Sequence, residues 1–175
     1  MKKKTNTITA FLILFLVSCE IVDRLLTFTI SNSFTFTINS GVPIDSSLEI
    51  ATPEVTTNSS TEFYNNNTNA VLVKDVKLEE LKLRITNPED KTFSFIKSVH
   101  IYISTNDQDE IELAFLDNIS STTNIISLIC TTQKLDKYIK ASSYRIRTSV
   151  TTKETLNQET TMKAGIKFTI TADPF

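Results

Sequence analysis

Few side chains in this sequence have types suited to chemistry. They are two cysteines, one histidine and scattered carboxylates, with no tryptophan and two glycines in 175 residues. Cys19 closes the stretch Leu16-Val17-Ser18-Cys19. Cys130 ends the apolar run Ile125-Ile126-Ser127-Leu128-Ile129-Cys130, where a free thiol is expected to pack as a small buried hydrophobe. A nucleophilic thiol would want a histidine or cation beside it, and the chain has only His100. His100 alternates with Val99 and Ile101, which places it on the outer face of a strand beside Tyr102. A Ser/His/Asp triad would have to use it, with a carboxylate and a nucleophile supplied by distant strands. Asp107-Gln108-Asp109-Glu110 is the densest acid group. Calcium favours such oxygen-rich turns, but the glycine and distal glutamate of a helix–loop–helix calcium site are missing, so a solvated hairpin turn is expected. Asp45 and Asp117-Asn118 are weaker candidates of the same kind.

Carboxylates for sugar hydrolysis are plentiful, yet tryptophan is absent and the phenylalanines fall at core parity. Tyr64, next to Asn65-Asn66-Asn67, and Tyr102 are the aromatic candidates for a ligand-binding face. No glycine-rich phosphate loop, Gly-x-Ser-x-Gly elbow or Cys/His zinc set occurs. No catalytic residue, metal site or cofactor is assigned, and the chain is expected not to be an enzyme.

The segment ahead of Cys19 has three parts. Met1-Lys2-Lys3-Lys4 is positive, Ile8 to Val17 is apolar, and small Ser18 stands before the cysteine. An apolar run of about 10 residues is too short to span a bilayer core, which takes about 20, and fits an export signal. Leu at −3, Val at −2 and Ser at −1 resemble the lipobox of bacterial lipoproteins. That resemblance implies that the Cys19 sulfur takes a diacylglycerol, that residues 1–18 are cleaved as a signal helix, and that the new amine is acylated, with palmitate as a representative chain. Two or more chains make a stable anchor where one is marginal.

Composition sets further bounds. Taking 18 residues from 175 leaves 157, one domain by size. Taking the three signal lysines from 18 basic residues leaves 15 against 20 acids, a charge of −5. Basic residues are scattered singly, so nucleic acid is not an expected partner. With Cys19 acylated, Cys130 has no partner for a disulfide, and packing must supply the stability.

The remainder alternates like β structure from end to end. Leu26, Phe28 and Ile30 share parity with Phe34, Phe36 and Ile38 across Ser31-Asn32-Ser33, which predicts one long kinked strand, with a tight hairpin at that break as the alternative. Leu48 and Ile50 suggest a short strand. Residues 56–61 and 65–69 read as loop, with an edge strand around Phe63 and Tyr64 as the alternative. Strands are expected at Val76 to Thr86, Ser98 to Ser104, around Ile111, Leu113 and Phe115, at Asn124 to Thr131, and around Tyr144 to Val150 and Ile166 to Ile170. Turns fall at Asn87-Pro88-Glu89-Asp90 and Asn106 to Asp109. Leu135, Tyr138 and Ile139 have helical spacing, predicting one short helical turn near 134–140; no other helix is expected after the signal. The resulting fold class is all-β, an immunoglobulin-like antiparallel β-sandwich over 26–175 with a closed barrel as the alternative, preceded by a lipidated tether of residues 19–25 that begins at Cys19.

The runs Leu81 to Pro88, Thr92 to Ser104 and Leu135 to Ile139 resemble those of small uncharacterised Bacteroidota outer-membrane lipoproteins. The alternation is also loosely similar to immunoglobulin-like sandwiches of the late-embryogenesis type-2 kind. The first resemblance implies an envelope location at the outer membrane, and no activity. The expected function is a lipid-anchored, non-enzymatic binding or assembly module, contacting the membrane through its lipid and an envelope protein or glycan through its β domain. An adhesin or surface-filament accessory subunit is the alternative, adding the first or last strand to a neighbour's sheet; a hydrolase comes third.

Overall fold

A computed structural model describes residues 26–173. The signal segment 1–18, Cys19, the tether 19–25 and the last two residues lie outside the described residues. Thr, Ile, Val and Phe fit a pleated, half-buried surface, and their alternation sets the architecture. The elements are β1 (Thr27–Ile38), β2 (Ser47–Ala51), β3 (Val55–Thr56), α1 (Ser59–Asn65), β4 (Val73–Asn87), a 3-10 turn at Phe93–Phe95, β5 (Ile96–Ser104), β6 (Ile111–Leu116), β7 (Ile125–Ser127), β8 (Ile129–Cys130), α2 (Asp136–Lys140), β9 (Ser143–Thr152) and β10 (Thr160–Ala172). They make an all-β antiparallel sandwich with the layering expected of an immunoglobulin-like domain. One sheet has the order β1-β10-β4-β7; the other has β2-β9-β5-β6-β8, with β3 also paired to β9.

The core lies between the sheets. Ile30, Leu81, Leu83 and Phe168 enter from the first sheet, and Val99, Ile101, Ile146 and Val150 from the second; all are buried. β1 runs through Ser31-Asn32-Ser33 in unbroken register with β10, from Thr27↔Thr171 to Ile38↔Thr160. The expected kink is absent as a register break, and the face is preserved. Asn32, the polar residue on the inner parity, donates its side-chain N–H to Tyr144 Oη at 3.0 Å across the sandwich. A buried-side amide left unbonded would cost about 1–3 kcal/mol, so this bond is what lets asparagine stand in a core row.

Four further expectations are corrected by the structure. Residues Ser59–Asn65 form α1 rather than a loop or edge strand, because Phe63 is buried edge-on to Phe28 at a 6.3 Å ring separation. Asn124 to Thr131 is two strands, not one: β7 pairs with β4, β8 with β6, and the chain changes sheet at Leu128. In β6 the alternation breaks at a bulge opposite Ile101 and Tyr102, so Leu113 and Ala114 are both buried while Phe115 turns outward. In β4 Leu81, Leu83 and Ile85 share the inner face, and a bulge that leaves Glu79 unmatched lets Val76 and Leu78 join them from the other parity. The last strand, β10, is paired on both sides, with β1 and β4, and is no free edge. The expected helical turn is present as α2, with Ile139 fully buried. The turn after β4 holds a cis Asn87–Pro88 bond, and Gly41, at φ 84°, makes the tight reversal after β1.

Candidate binding face

The outer face of the second sheet carries most of the polar and aromatic side chains with chemical interest. Register puts Glu49, Ser149, His100 and Phe115 in one row across β2, β9, β5 and β6. The next row is Ala51, Arg147, Tyr102 and Glu112. Both rows exist because alternation sends Val99, Ile101 and Ile103 inward and their neighbours outward. The β6 bulge then keeps Glu112 and Phe115 on the outside with them.

His100 sits between two carboxylates. Nδ1 is 2.7 Å from Glu112 Oε1 and Nε2 is 3.2 Å from Asp117 Oδ1. Its ring stacks on Phe115 at 5.9 Å and on Tyr102 at 6.5 Å. Partial burial opposes the imidazolium, but the two carboxylate hydrogen bonds outweigh it and raise the histidine pKa. On the other side of Tyr102, the Arg147 guanidinium lies 3.9 Å over the ring. It grips Glu110 with two bonds, Nε to Oε2 at 2.9 Å and Nη2 to Oε1 at 2.6 Å, and pairs with Glu49 through Nη1. Ser149 Oγ donates to Glu49 at 2.6 Å. Phe115, His100, Tyr102 and Arg147 therefore make a continuous stack of planar groups across the two rows, flanked by acids.

A shallow depression of about 300 Å³ adjoins this stack, lined by Asn106, Asp107, Glu110, Arg145 and Arg147 among others. Arg145 Nη2 pairs with Asp107 Oδ1 at 2.9 Å. The arrangement suits recognition of a polar ligand by hydrogen bonds and stacking. It is poorly suited to acid–base work. The bond from Arg147 lowers the Glu110 pKa, so that carboxyl stays ionised rather than poised as an acid. Both His100 nitrogens are already engaged by carboxylates, so neither is aimed at a hydroxyl or thiol.

The other candidates fall elsewhere. Cys19 is outside the described residues. Cys130 is half-buried against the core, and burial pushes its thiol pKa up, away from nucleophilic thiolate. Asp109 holds its own turn: its carboxylate accepts the Thr105 and Asn106 backbone N–H groups at 2.8 and 3.0 Å and the Thr105 hydroxyl, and pairs with Lys137 at 2.7 Å. Burial would raise the Asp109 pKa, but these bonds hold it well below the usual carboxylate range. Among the described residues, no group of three or more His, Cys, Asp or Glu side chains is placed to hold a metal. Asp45 pairs with Lys97 at 3.1 Å. Tyr64 is 81% exposed on α1, beside a depression bordered by Asn65, Asn67, Thr68 and Asn69. Sequence reading found His100 and Tyr102 on the outer face. It named Glu110 and Asp117 only as turn acids and missed Glu112, Arg147 and Glu49, because their meeting depends on strand register.

No family model matches the chain, and no curated protein matches it. Among solved structures, the chain is similar to turnip yellow mosaic virus at 12% identity, over 85% of this chain and 95% of that one, with a TM-score of 0.29. It is similar to the 60-mer BFDV capsid protein at 10% identity, over 85% and 96% of the two chains, with a TM-score of 0.34. At these TM-scores the likeness carries no argument.

Proposed function

We propose that this chain is a non-enzymatic, lipid-anchored protein of the bacterial cell envelope, held at the outer membrane, whose β-sandwich serves as a binding or assembly module for an envelope protein or glycan. The observation that carries the anchor is the order of charge, apolar run, Leu-Val-Ser and Cys19 in the first residues. The binding half is supported by the outer face of the second sheet, where stacked His100, Tyr102 and Arg147 stand among carboxylates, of which Glu110 is held in its charged form by Arg147. The ionised Glu110 is not the protonated carboxyl that a hydrolase would need.

The anchor is tested by Cys19→Ser. The wild-type chain is expected to partition into detergent, and its mass to equal a polypeptide beginning at Cys19 plus acyl chains. The variant is expected to lose the lipid mass and the cleavage at that bond. An unmodified thiol at Cys19 in the mature wild type overturns the reading.

A further inference from the structure

β1 is an edge strand of the first sheet, paired on one side by β10; from Phe28 to Ile38, no strand among the described residues pairs its other side. It differs from the other edges. β7, β8 and β3 have three, two and two residues, and β2 has five, whereas β1 has twelve in unbroken register. Natural edges are usually protected by charges, proline, bulges or shortness. β1, Thr-Phe-Thr-Ile-Ser-Asn-Ser-Phe-Thr-Phe-Thr-Ile, has no charged residue, no proline and no register break along β10.

The order of its residues says what should cover it. From Thr27 to Thr37 the strand reads almost the same in both directions about Asn32, the one exception being Ile30 against Phe34. In an antiparallel pair made by a two-fold axis through Asn32, residue 32 − k lies opposite residue 32 + k of the second strand. Phe28 then faces Phe36 and Ile30 faces Phe34 on the inner side, while Thr29 faces Thr35 and Ser31 faces Ser33 on the outer side. Inner residues meet inner ones, as they must if the two sheets are to join without turning a core face to water. Aromatic, β-branched and Thr–Thr or Thr–Ser pairs are the cross-strand combinations that stabilise a sheet. The inner side of this edge is apolar along its length: Phe34 and Phe36 stack at 6.0 Å toward one end, and half-buried Phe28 stands on the same face toward the other.

We propose that β1 is an interface between two copies of this chain, joined antiparallel about Asn32 into one sheet that runs through both sandwiches. The contact is isologous: each copy offers the same strand, and a two-fold axis closes the pair. A foreign strand would not need the palindrome, so the second copy is the occupant the sequence specifies. The interface extends the assembly half of the proposed function and stands independently of acylation at Cys19.

The test is a cysteine pair. Thr29→Cys and Thr35→Cys in one chain are six residues apart along a strand, about 20 Å, beyond any disulfide within the chain. Across the two-fold axis they face each other. Oxidation of the full-length double variant in its membranes is expected to give a covalent dimer, at least about tenfold more abundant than from either single variant or from Thr29→Cys with Thr37→Cys, which reports a register slipped by two residues. Native mass spectrometry of the detergent-purified wild type is expected to give twice the chain mass. A monomeric wild type, absence of the dimer from a folded double variant, or equal cross-linking by the slipped pair overturns the proposal. Because lipid loss at Cys19 is read by a separate mass, failure of this interface and failure of the anchor are distinguishable.

Discussion

At the scale of single residues, His100 is the most responsive group on the candidate face. It is the only histidine in the chain, so its ring protons give one resolvable titration. Its folded pKa is raised by Glu112 and Asp117 above the ordinary value of about 6.5. A raised pKa means that the folded state binds the proton more tightly than the unfolded state. The stabilisation is thus fully present below about pH 6.5 and is lost as pH rises through the folded midpoint. We expect a proton NMR midpoint above 6.5 that falls on Glu112→Gln, and a thermal stability advantage of wild type over His100→Gln that shrinks as pH rises through that midpoint. The exposed side of the pair limits its worth to about 1 kcal/mol. A midpoint at or below the free-histidine value would show that burial, not the carboxylates, governs this ring. Alternation alone placed His100 outward beside Tyr102. It could not name Glu112 as its partner, because the bulge between the Ile101 and Tyr102 pairings decides which β6 residues face out.

At the scale of elements, the turn between β5 and β6 is tied to α2 by Asp109. The carboxylate gathers Thr105, Asn106 and Lys137, and the Asp109 carbonyl accepts the Tyr138 hydroxyl at 2.6 Å. α2 is itself seated by Ile139 and by Leu135 N–H donating to Val76 O at 3.0 Å. Asp109 has a depressed folded pKa, so its contribution is present above the unfolded value near 4 and is lost as pH falls through the folded one. Asp109→Asn should therefore melt below wild type at neutral pH, and the gap should close in acid. A gap of constant size across that range would mean that the carboxylate charge is not what holds the turn. The sequence displayed this turn as a run of acids and α2 as three apolar residues at helical spacing, but not their connection. α1 was hidden for a different reason. A seven-residue helix with Phe63 as its buried apolar anchor has no period to detect, and the polar Asn-rich stretch around it resembles a loop until Phe28 is seen beneath it. The long strands were legible because each has one wet and one dry face; β7 and β8 were not, since a continuous apolar run does not announce where a chain passes from one sheet to the other.

At the scale of the whole molecule, the two sheets depend on one shared core, and the recognition face depends on the sheets remaining packed. Phe168 is fully buried in β10, the strand held between β1 and β4. Its ring lies where the first sheet meets the second, so truncation removes apolar contact and leaves a cavity that neighbours flanked by ladders cannot easily fill. Phe168→Ala should cost about 3–5 kcal/mol, a large part of the roughly 5–15 kcal/mol typical of a single domain. In urea the unfolding midpoint should fall with the slope unchanged, because the same surface is still exposed in one cooperative transition. Tyr64→Ala provides the contrast: its side chain points into solvent from α1, and its removal should move stability by less than about 0.5 kcal/mol. If Phe168→Ala instead produced two transitions, with the His100 resonance unmoved through the first, the sheets would be separate stability units. The stacked face on the second sheet would then persist without the first, and the edge strand β1 would no longer be held by the same core that presents His100 and Arg147.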